Sequence, residues 1–179
     1  MSKNVFIVSA SARKNGNSAT LAAEFAHGAV DAGHNVAKVD LFDLKLNFCL
    51  GCLACQKSEK CIIDDDINGL LSTVQNSDVL VFATPIYYYG LAGQLKTFLD
   101  RLNPLFNRRN RFKEVYLLAS AAEDDQSAFD KALIGLQGWI ECFEGVELKG
   151  VVRAGGVTAV GDIQTTDFPH QAYELGRKN

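Results

Sequence analysis

Apolar positions along the chain occur either as short continuous runs or at helical spacing, and the two patterns alternate. Continuous runs typical of strands buried on both faces of a parallel sheet occur at residues 5–8, 79–83 and 115–119. Shorter, mixed runs predict two further strands at 35–41 and 146–152. Apolar residues three or four positions apart predict five helices, one from Ser18 to a stop at Gly33 and others at 67–74, 91–102, 128–143 and 168–177.

This alternation of strands and helices predicts an α/β protein. A parallel sheet with right-handed crossovers and helices on both faces gives a three-layer sandwich, whose ligand lies at the carboxyl ends of the strands. The 179 residues, 47% of them hydrophobic, suit one core. We therefore assign residues 1–179 to a single domain, with a cysteine-rich loop at 45–63.

A polar loop, residues 9–18 (SASARKNGNS), follows the first predicted strand and leads into the first helix. A helix N-terminus offers unpaired N–H groups and the positive end of its dipole, and Arg13 adds a full charge. Short hydroxyl and amide side chains are contributed by Ser9, Ser11, Asn17 and Ser18. The loop lacks both G-x-x-x-x-G-K-[ST] and G-x-G-x-x-G, so a single terminal phosphate fits better than a pyrophosphate. The alternative is an ordinary βα turn in which Ser18 is the N-cap.

A second loop, residues 84–90 (TPIYYYG), follows the third predicted strand, and we expect it beside the first loop. Its three tyrosines offer flat rings suited to a planar heteroaromatic ligand, and Gly90 allows close approach of the backbone. A phosphate site beside a flat-ring site predicts a mononucleotide-like ligand, which flavin mononucleotide (FMN) matches. The alternative is that the tyrosines pack over a helix end.

Four of the five cysteines form one motif, Cys49-x2-Cys52-x2-Cys55-x5-Cys61. Thiols at this spacing can surround one compact polynuclear centre, and thiolates are the ligands that an iron–sulfur cluster requires. Free thiols or a zinc site are the alternatives. We expect Cys142, alone on a predicted amphipathic helix, to be a buried small hydrophobic residue.

Charge narrows the range of partners. The net charge of −3 supplies no excess of cations for nucleic acid. No segment has the eighteen or so apolar residues of a membrane span, and the N-terminus lacks a signal-peptide pattern, so we expect a cytoplasmic protein without membrane contact.

The acidic triplet 64–66 predicts a helix cap rather than a metal site. The cationic segment 107–113 is either a solvated loop or a site for a pyridine-nucleotide phosphate or a partner's acidic face.

Residues 9–18 and 83–88 together resemble the NAD(P)H-dependent FMN reductases of the flavodoxin-like superfamily. The resemblance continues through 95–101 and 150–161. Ala10 and Ala12 depart from it, because the family often has Gly and Pro there. The tight cysteine spacing within 47–60 is similar to that of the iron–sulfur flavoprotein branch of this family.

The resemblance implies a flavodoxin-like, five-stranded parallel sheet in the order 2-1-3-4-5, and a homodimer or homotetramer. It implies that FMN phosphate is held by Ser11, Arg13, Asn17 and Ser18. It also implies that residues 120–122 approach one side of the flavin and that the other side is lined by Pro85, Ile86, Tyr87, Tyr88, Tyr89 and Gly90. On the same basis, a [4Fe-4S] cluster is held by Cys49, Cys52, Cys55 and Cys61.

These features predict an FMN-dependent oxidoreductase that passes electrons between NAD(P)H or ferredoxin and a small acceptor. Because the transfer takes place at the flavin, we expect no catalytic acid or base among the side chains. Two alternatives stay open at this point: a cluster-free NAD(P)H-dependent FMN or quinone reductase, and a flavodoxin-like electron carrier that is not an enzyme.

Overall fold

The structure is a computed structural model that describes residues 1–106 and 108–179. A mainly parallel sheet lies between two layers of helices. Its strands are β1 (Asn4–Ser9), β2 (Asn35–Asp40), β3 (Val79–Tyr87), β4 (Gly90–Leu91), β5 (Glu114–Ser120) and β6 (Glu147–Ala154). The α-helices are α1 (Asn17–Asp31), α2 (Cys55–Ser58), α3 (Ile67–Asn76), α4 (Gly93–Arg101), α5 (Asp130–Ile140) and α6 (Phe168–Lys178).

The strand order is β2-β1-β3-β5-β6, and all of these neighbours are parallel. The two-residue strand β4 pairs antiparallel with the end of β3. Without β4, the order is the 2-1-3-4-5 expected from the sequence, so the flavodoxin-like fold class is confirmed, with six strands instead of five. The order reverses between β1 and β3, and ligands bind at such a switch point in open α/β sheets.

Two apolar cores cover the two faces of the sheet. Because side chains alternate along a strand, Val5 and Ile7 of β1 face one core, and Phe6 and Val8 face the other. The first core lies under α1 and α6, and the second lies under α3, α4 and α5. Helix α1 ends at Asp31, and Gly33 follows with φ of +84°, as its predicted role as a stop requires.

The tyrosine segment differs from the predicted loop because β3 is longer than its apolar run. Pro85, Ile86 and Tyr87 belong to β3, and Pro85 pairs with Ser120, the last residue of β5. Tyr88 and Tyr89 alone form the turn to β4. The segment is therefore a β-hairpin rather than an irregular loop.

The acidic triplet lies at the start of α3, as predicted, and Asp66 is the N-cap residue. Asp65 Oδ1 accepts a hydrogen bond from the N–H of Ile67, the first residue of the helix, at 3.4 Å, and Asp65 also pairs with Arg101. The Asp66 carboxylate contacts the preceding loop instead of the helix, since it accepts from the N–H of Lys45 at 2.6 Å.

The prediction that Cys142 is buried is wrong. Cys142 is exposed, because α5 ends at Ile140 and the helical pattern does not extend to it.

Within the described ranges, the model contains no helix long and apolar enough to cross a membrane. Asn107, the first residue of the predicted cationic segment, lies outside the described residues. Arg108, Arg111 and Lys113 of that segment contact Glu59, Asp78 and the carbonyl of Glu144, respectively, so these cations are partnered rather than free in solvent.

Candidate functional site

The loop after β1 leaves the N-terminus of α1 uncapped. Gly16 occupies the N-cap position with extended backbone, and no side chain caps the helix. The N–H groups of Asn17, Ser18 and Ala19 have no acceptor in the part of the chain that the structure describes. Ser18 lies inside the first turn and is not the N-cap. Unpaired donors at the positive end of a 15-residue helix favour an anionic ligand there.

Ser9 is the last residue of β1 and points its hydroxyl into the same region of the fold. Its side chain is fully buried, and Oγ has no hydrogen-bond partner among the described residues. Buried hydroxyl groups in folded proteins are nearly always paired. The missing partner of Ser9 Oγ therefore indicates a ligand oxygen or a water molecule at the end of β1.

The loop between Ser9 and α1 is folded by its own hydrogen bonds. Ser11 Oγ donates to the carbonyl of Arg13 at 2.9 Å, and Arg13 Nη1 donates to the carbonyl of Thr158 at 2.9 Å. A Cβ at Gly16 would approach Ser11 Oγ to 2.7 Å, so the close turn requires glycine. The loop thus reaches α1 in a fixed path.

Asn17 connects this loop to the segment after β6. Its Nδ2 donates to the carbonyl of Ala159 at 3.0 Å, and its Oδ1 accepts from the N–H of Ile163 at 3.4 Å. Both atoms of the side-chain amide are engaged within the protein. The backbone N–H and the second N–H of Nδ2 are left to contact an anion.

The tyrosine hairpin and this loop both lie at the carboxyl end of the parallel strands. Ala10 N–H donates to the carbonyl of Ala83 in β3 at 2.8 Å, so the two loops leave neighbouring strands together. Residues 120–122 also begin at this end of the sheet, because Ser120 is the last residue of β5 and pairs with Pro85 of β3. The structure therefore brings all three predicted ring and phosphate segments to one end of the sheet.

Tyr88 and Tyr89 form the turn with φ of +48° and +64°. A two-residue hairpin turn with positive φ at both positions favours Asn-Gly, because large side chains are strained in this conformation. The tyrosine rings are exposed, Tyr88 completely, and Lys131 Nζ lies 5.1 Å from the centroid of the Tyr89 ring. The rings are therefore available to a ligand, and Tyr89 also lies against Lys131 in the first turn of α5.

The four cysteines of the motif line a single cleft, which also contains Arg101 and Asn103. Cys55 is buried, Cys61 is half-buried, and Cys49 and Cys52 are exposed. Within residues 1–106 and 108–179, no three ligands are already close enough together to hold a metal ion. The four thiols share one space, but the loop would have to close around a centre.

Two sulfur atoms already accept hydrogen bonds. Asn103 Nδ2 donates to Cys55 Sγ at 3.2 Å, and Gly51 N–H donates to Cys49 Sγ at 3.5 Å. Asn68 of α3 fixes the backbone of Cys61, because its Oδ1 accepts from the Cys61 N–H at 3.1 Å and its Nδ2 donates to the Cys61 carbonyl at 3.2 Å. N–H donors to sulfur and a fixed backbone suit thiolate ligands. The donor set therefore fits an iron–sulfur cluster.

A buried ion pair closes the cysteine loop at its base. Arg101 Nη1 donates to Asp65 Oδ2 at 2.6 Å and to the carbonyl of Asn47 at 2.7 Å, and Nη2 donates to Asp65 Oδ1 at 2.8 Å. Both charged side chains are fully buried. Burial alone raises the pKa of Asp65, but the hydrogen bonds from Arg101 and Asn47 outweigh it and lower the pKa to about 2. The Arg101 guanidinium thus joins Asn47, which precedes the first cysteine of the motif, to Asp65, which follows the last.

The cysteine spacing does not point to Asp65, Asn68, Arg101 or Asn103 as residues of this site. Asp65 belongs to the acidic triplet at the start of α3, and Arg101 belongs to the stretch 95–101 that resembles the FMN reductases. The available signal was the end of α4, where a charged residue continues an apolar face at helical spacing from Leu95 and Phe98.

The cationic segment lies at the other end of the sheet. Lys113 immediately precedes β5, so residues 108–113 flank the amino ends of the strands, opposite the loop at 9–18. Arg108 Nη1 contacts Glu59 of the cysteine loop at 2.9 Å. The segment is therefore a neighbour of the cysteine cleft and not of the phosphate loop.

The switch point, the uncapped helix and the hairpin define a nucleotide-binding α/β protein of flavodoxin-like fold. Residues 3–156 match the family described as NADPH-dependent FMN reductase. The chain belongs to this family, which confirms the membership predicted from its two ligand loops.

Comparisons with individual proteins agree with this assignment. The chain is similar to an iron–sulfur flavoprotein of Methanocaldococcus jannaschii, with 34% identity over 107 residues that cover 58% of this chain and 55% of the relative. An iron–sulfur flavoprotein of Archaeoglobus fulgidus is 35% identical over 98 residues, covering 55% of this chain and 44% of the relative. The matched part thus spans about half the length of these curated relatives.

A solved structure shows the same fold. The NAD(P)H:quinone oxidoreductase from Methanothermobacter marburgensis superposes with a TM-score of 0.72 over 99% of this chain and 97% of that chain, at 20% identity. At this identity the likeness concerns the fold alone.

Proposed function

We propose that the protein is an FMN-dependent oxidoreductase of the iron–sulfur flavoprotein type. It passes electrons between NAD(P)H or a ferredoxin and a small acceptor such as a quinone. The observation that carries the proposal is that four cysteines line one cleft in a chain of the FMN reductase family. The relatives named iron–sulfur flavoproteins support it.

The residues at the carboxyl end of the sheet fit FMN. The N–H groups at the start of α1 and the unpaired Ser9 Oγ would bind the terminal phosphate, together with the predicted ligands Ser11, Arg13 and Ser18. Bound FMN supplies hydride and single-electron transfer at its ring. The hairpin from Pro85 to Gly90 would orient the ring, and the exposed tyrosine rings would shield it from water.

The cysteine cleft fits a [4Fe-4S] cluster, which supplies one-electron transfer. Cys49, Cys52, Cys55 and Cys61 would hold it. Asn103 and Gly51 would donate hydrogen bonds to the ligating sulfurs, and Asn68 would fix the Cys61 backbone. The chain would therefore connect a two-electron donor to a one-electron partner.

A cluster-free NAD(P)H-dependent reductase is the second candidate. It is favoured by the exposure of Cys49 and Cys52 and by the absence, within the described ranges, of three ligands already in position for a metal. Assembly as a homodimer or homotetramer is part of either proposal. Exposed Phe48, Leu50 and Leu53 offer apolar surface that a second copy would cover.

The first experiment measures iron, acid-labile sulfide and flavin on one anaerobically prepared sample. We expect about four iron and four sulfide per FMN. Cys61→Ala should lose iron and retain flavin, whereas Cys142→Ala, which changes the exposed cysteine outside the cleft, should retain both.

Each other result has a defined meaning. Flavin without iron after anaerobic reconstitution supports the cluster-free reductase. A sample without flavin overturns both candidates. Flavin that neither NADH nor NADPH reduces, with no turnover of quinones, would identify a non-enzymatic carrier.

A further inference from the structure

One of the three guanidinium nitrogens of Arg101 takes no part in the buried ion pair. The two Nη atoms donate to Asp65 and to the carbonyl of Asn47, whereas Nε is buried and has no acceptor in the part of the chain that the structure describes. The residue is 1% exposed, so water does not readily satisfy Nε. A buried donor on a charged group without an acceptor costs free energy.

This donor lies where the thiols converge. Arg101 lines the cleft together with all four cysteines of the motif. Cys61 also contributes to the raised pKa of Arg101, after the larger effect of the hydrogen bond to Asp65. The candidate acceptor for Nε is thus a sulfur of the cysteine cleft.

The chemistry of an iron–sulfur centre gives this contact a consequence. Reduction adds negative charge to the ligating sulfurs, and N–H donors to those sulfurs stabilise the reduced state. Arginine suits this role because its planar guanidinium keeps three separate donor directions, so Asp65 can fix two while the third faces the sulfur. A lysine can keep the charge but not the fixed third donor.

We propose that Arg101 Nε–H donates a hydrogen bond to a ligating sulfur of the cysteine cleft in the cluster-loaded protein and thereby raises the midpoint potential of the cluster. This inference rests on the proposed function, because it requires a cluster in the cysteine cleft. It assigns Arg101 two tasks: it closes the base of the loop through Nη, and it sets the potential through Nε.

The test compares three variants after anaerobic reconstitution, by redox titration followed by electron paramagnetic resonance. Arg101→Lys should retain iron and sulfide and shift the midpoint potential downward. Arg111→Lys, the same change in an arginine that pairs with Asp78 and does not line the cleft, should leave the potential unchanged. Asp65→Asn, which removes the neutralising carboxylate and keeps Nε, should shift the potential upward.

The directions of the potential shifts show whether Arg101 tunes the cluster potential or only holds the loop in place. If Arg101 only holds the loop, Arg101→Lys and Asp65→Asn both loosen it and shift the potential in the same direction, or not at all. Either result overturns the proposal. Flavin content and circular dichroism of each variant show whether it is folded.

An experiment on the unmodified sequence does not depend on the variants folding. Protein labelled with 15N on arginine is reduced, and electron spin echo spectra are searched for a 15N coupling to the cluster. The coupling is expected; its absence from a reduced, iron-loaded sample overturns the proposal while leaving the proposed function intact. A protein that takes up no iron contradicts the proposed cluster itself, and with it this inference.

Discussion

The carbonyl oxygen of Tyr173 in α6 lies where a Cβ on Gly28 of α1 would have to be. Gly176 makes the reciprocal contact, since a Cβ there would overlap the carbonyl of Phe25. The two helices therefore touch through their backbones on one face of the sheet. Since the N-terminus of α1 is the predicted phosphate site, this contact also fixes the position of the ligand-binding end of the helix.

Gly28→Ala should lower the free energy of unfolding by about 2–4 kcal/mol, because α1 and α6 must separate to admit the methyl group. Gly69→Ala is the matched control, since Gly69 lies in helix α3 with open space around it. That change should raise the stability by up to about 1 kcal/mol, from helix propensity. Urea unfolding measures both; equal effects of the two substitutions would contradict the backbone contact.

Ser9→Ala should weaken FMN binding about tenfold to a hundredfold, since a hydrogen bond to a charged group contributes about 1.5–3 kcal/mol. The stability of the FMN-free protein should not fall, because Ser9 Oγ has no protein partner in the described part of the chain. Flavin fluorescence titration gives the affinity.

Ser77→Ala is the control for Ser9. Ser77 is also a buried serine, but its Oγ donates to the carbonyl of Thr73 at 2.7 Å. This substitution should cost about 1 kcal/mol of stability and leave FMN affinity unchanged. If Ser9→Ala behaves in the same way, Ser9 is a structural residue and not a phosphate ligand.

Acid should weaken the protein through Asp65. The pKa of this carboxyl is about 2 in the folded protein and 3.8 in its reference state, so its stabilising effect is present above about pH 4 and is lost as the pH falls towards 2. The full effect is about 2 kcal/mol by the linkage relation. Unfolding free energies of the wild type and Asp65→Asn, measured from pH 6 to 2.5, should converge at the acid end. Parallel curves would show that Asp65 does not titrate with folding.

The hairpin turn should become more stable without its tyrosines. Replacing Tyr88 by Asn and Tyr89 by Gly relieves two strained positive-φ positions and should add about 1–2 kcal/mol to the free energy of unfolding. If the rings contact the flavin, the same variant binds FMN more weakly. Replacing both tyrosines by Ser removes the rings and keeps the strain, so it should weaken FMN binding with no gain in urea resistance.

The parallel sheet could be predicted from the apolar patterns of the sequence. Val5 to Val8 and Val79 to Ala83 are continuous apolar runs, and each forms the centre of a parallel strand. The end of β3 could not be predicted in this way, because Pro85 has no N–H for the ladder and therefore argues against the interior of a strand. Strand pairing with Ser120 decided that boundary.

The cysteine site was only partly predictable. The spacing identified the four thiols. It could not show that Asp65 and Arg101, which are 36 residues apart in the sequence, form an ion pair in the fold. A charged residue at a helix end normally faces solvent, as Asp100 does in its pair with Lys96. Only the three-dimensional packing distinguishes Arg101 from these neighbours.

The clamp between Arg101, Asn47 and Asp65 has a consequence for how the protein responds to damage. Since the segment that carries the cysteines begins and ends at one guanidinium, its two ends are held together by protein contacts that need no metal. If the proposed cluster is present, oxidative loss of its iron should disorder the cysteine segment without unfolding the rest of the domain. A damaged molecule would remain repairable, because metal can be reinserted into a chain that is still folded.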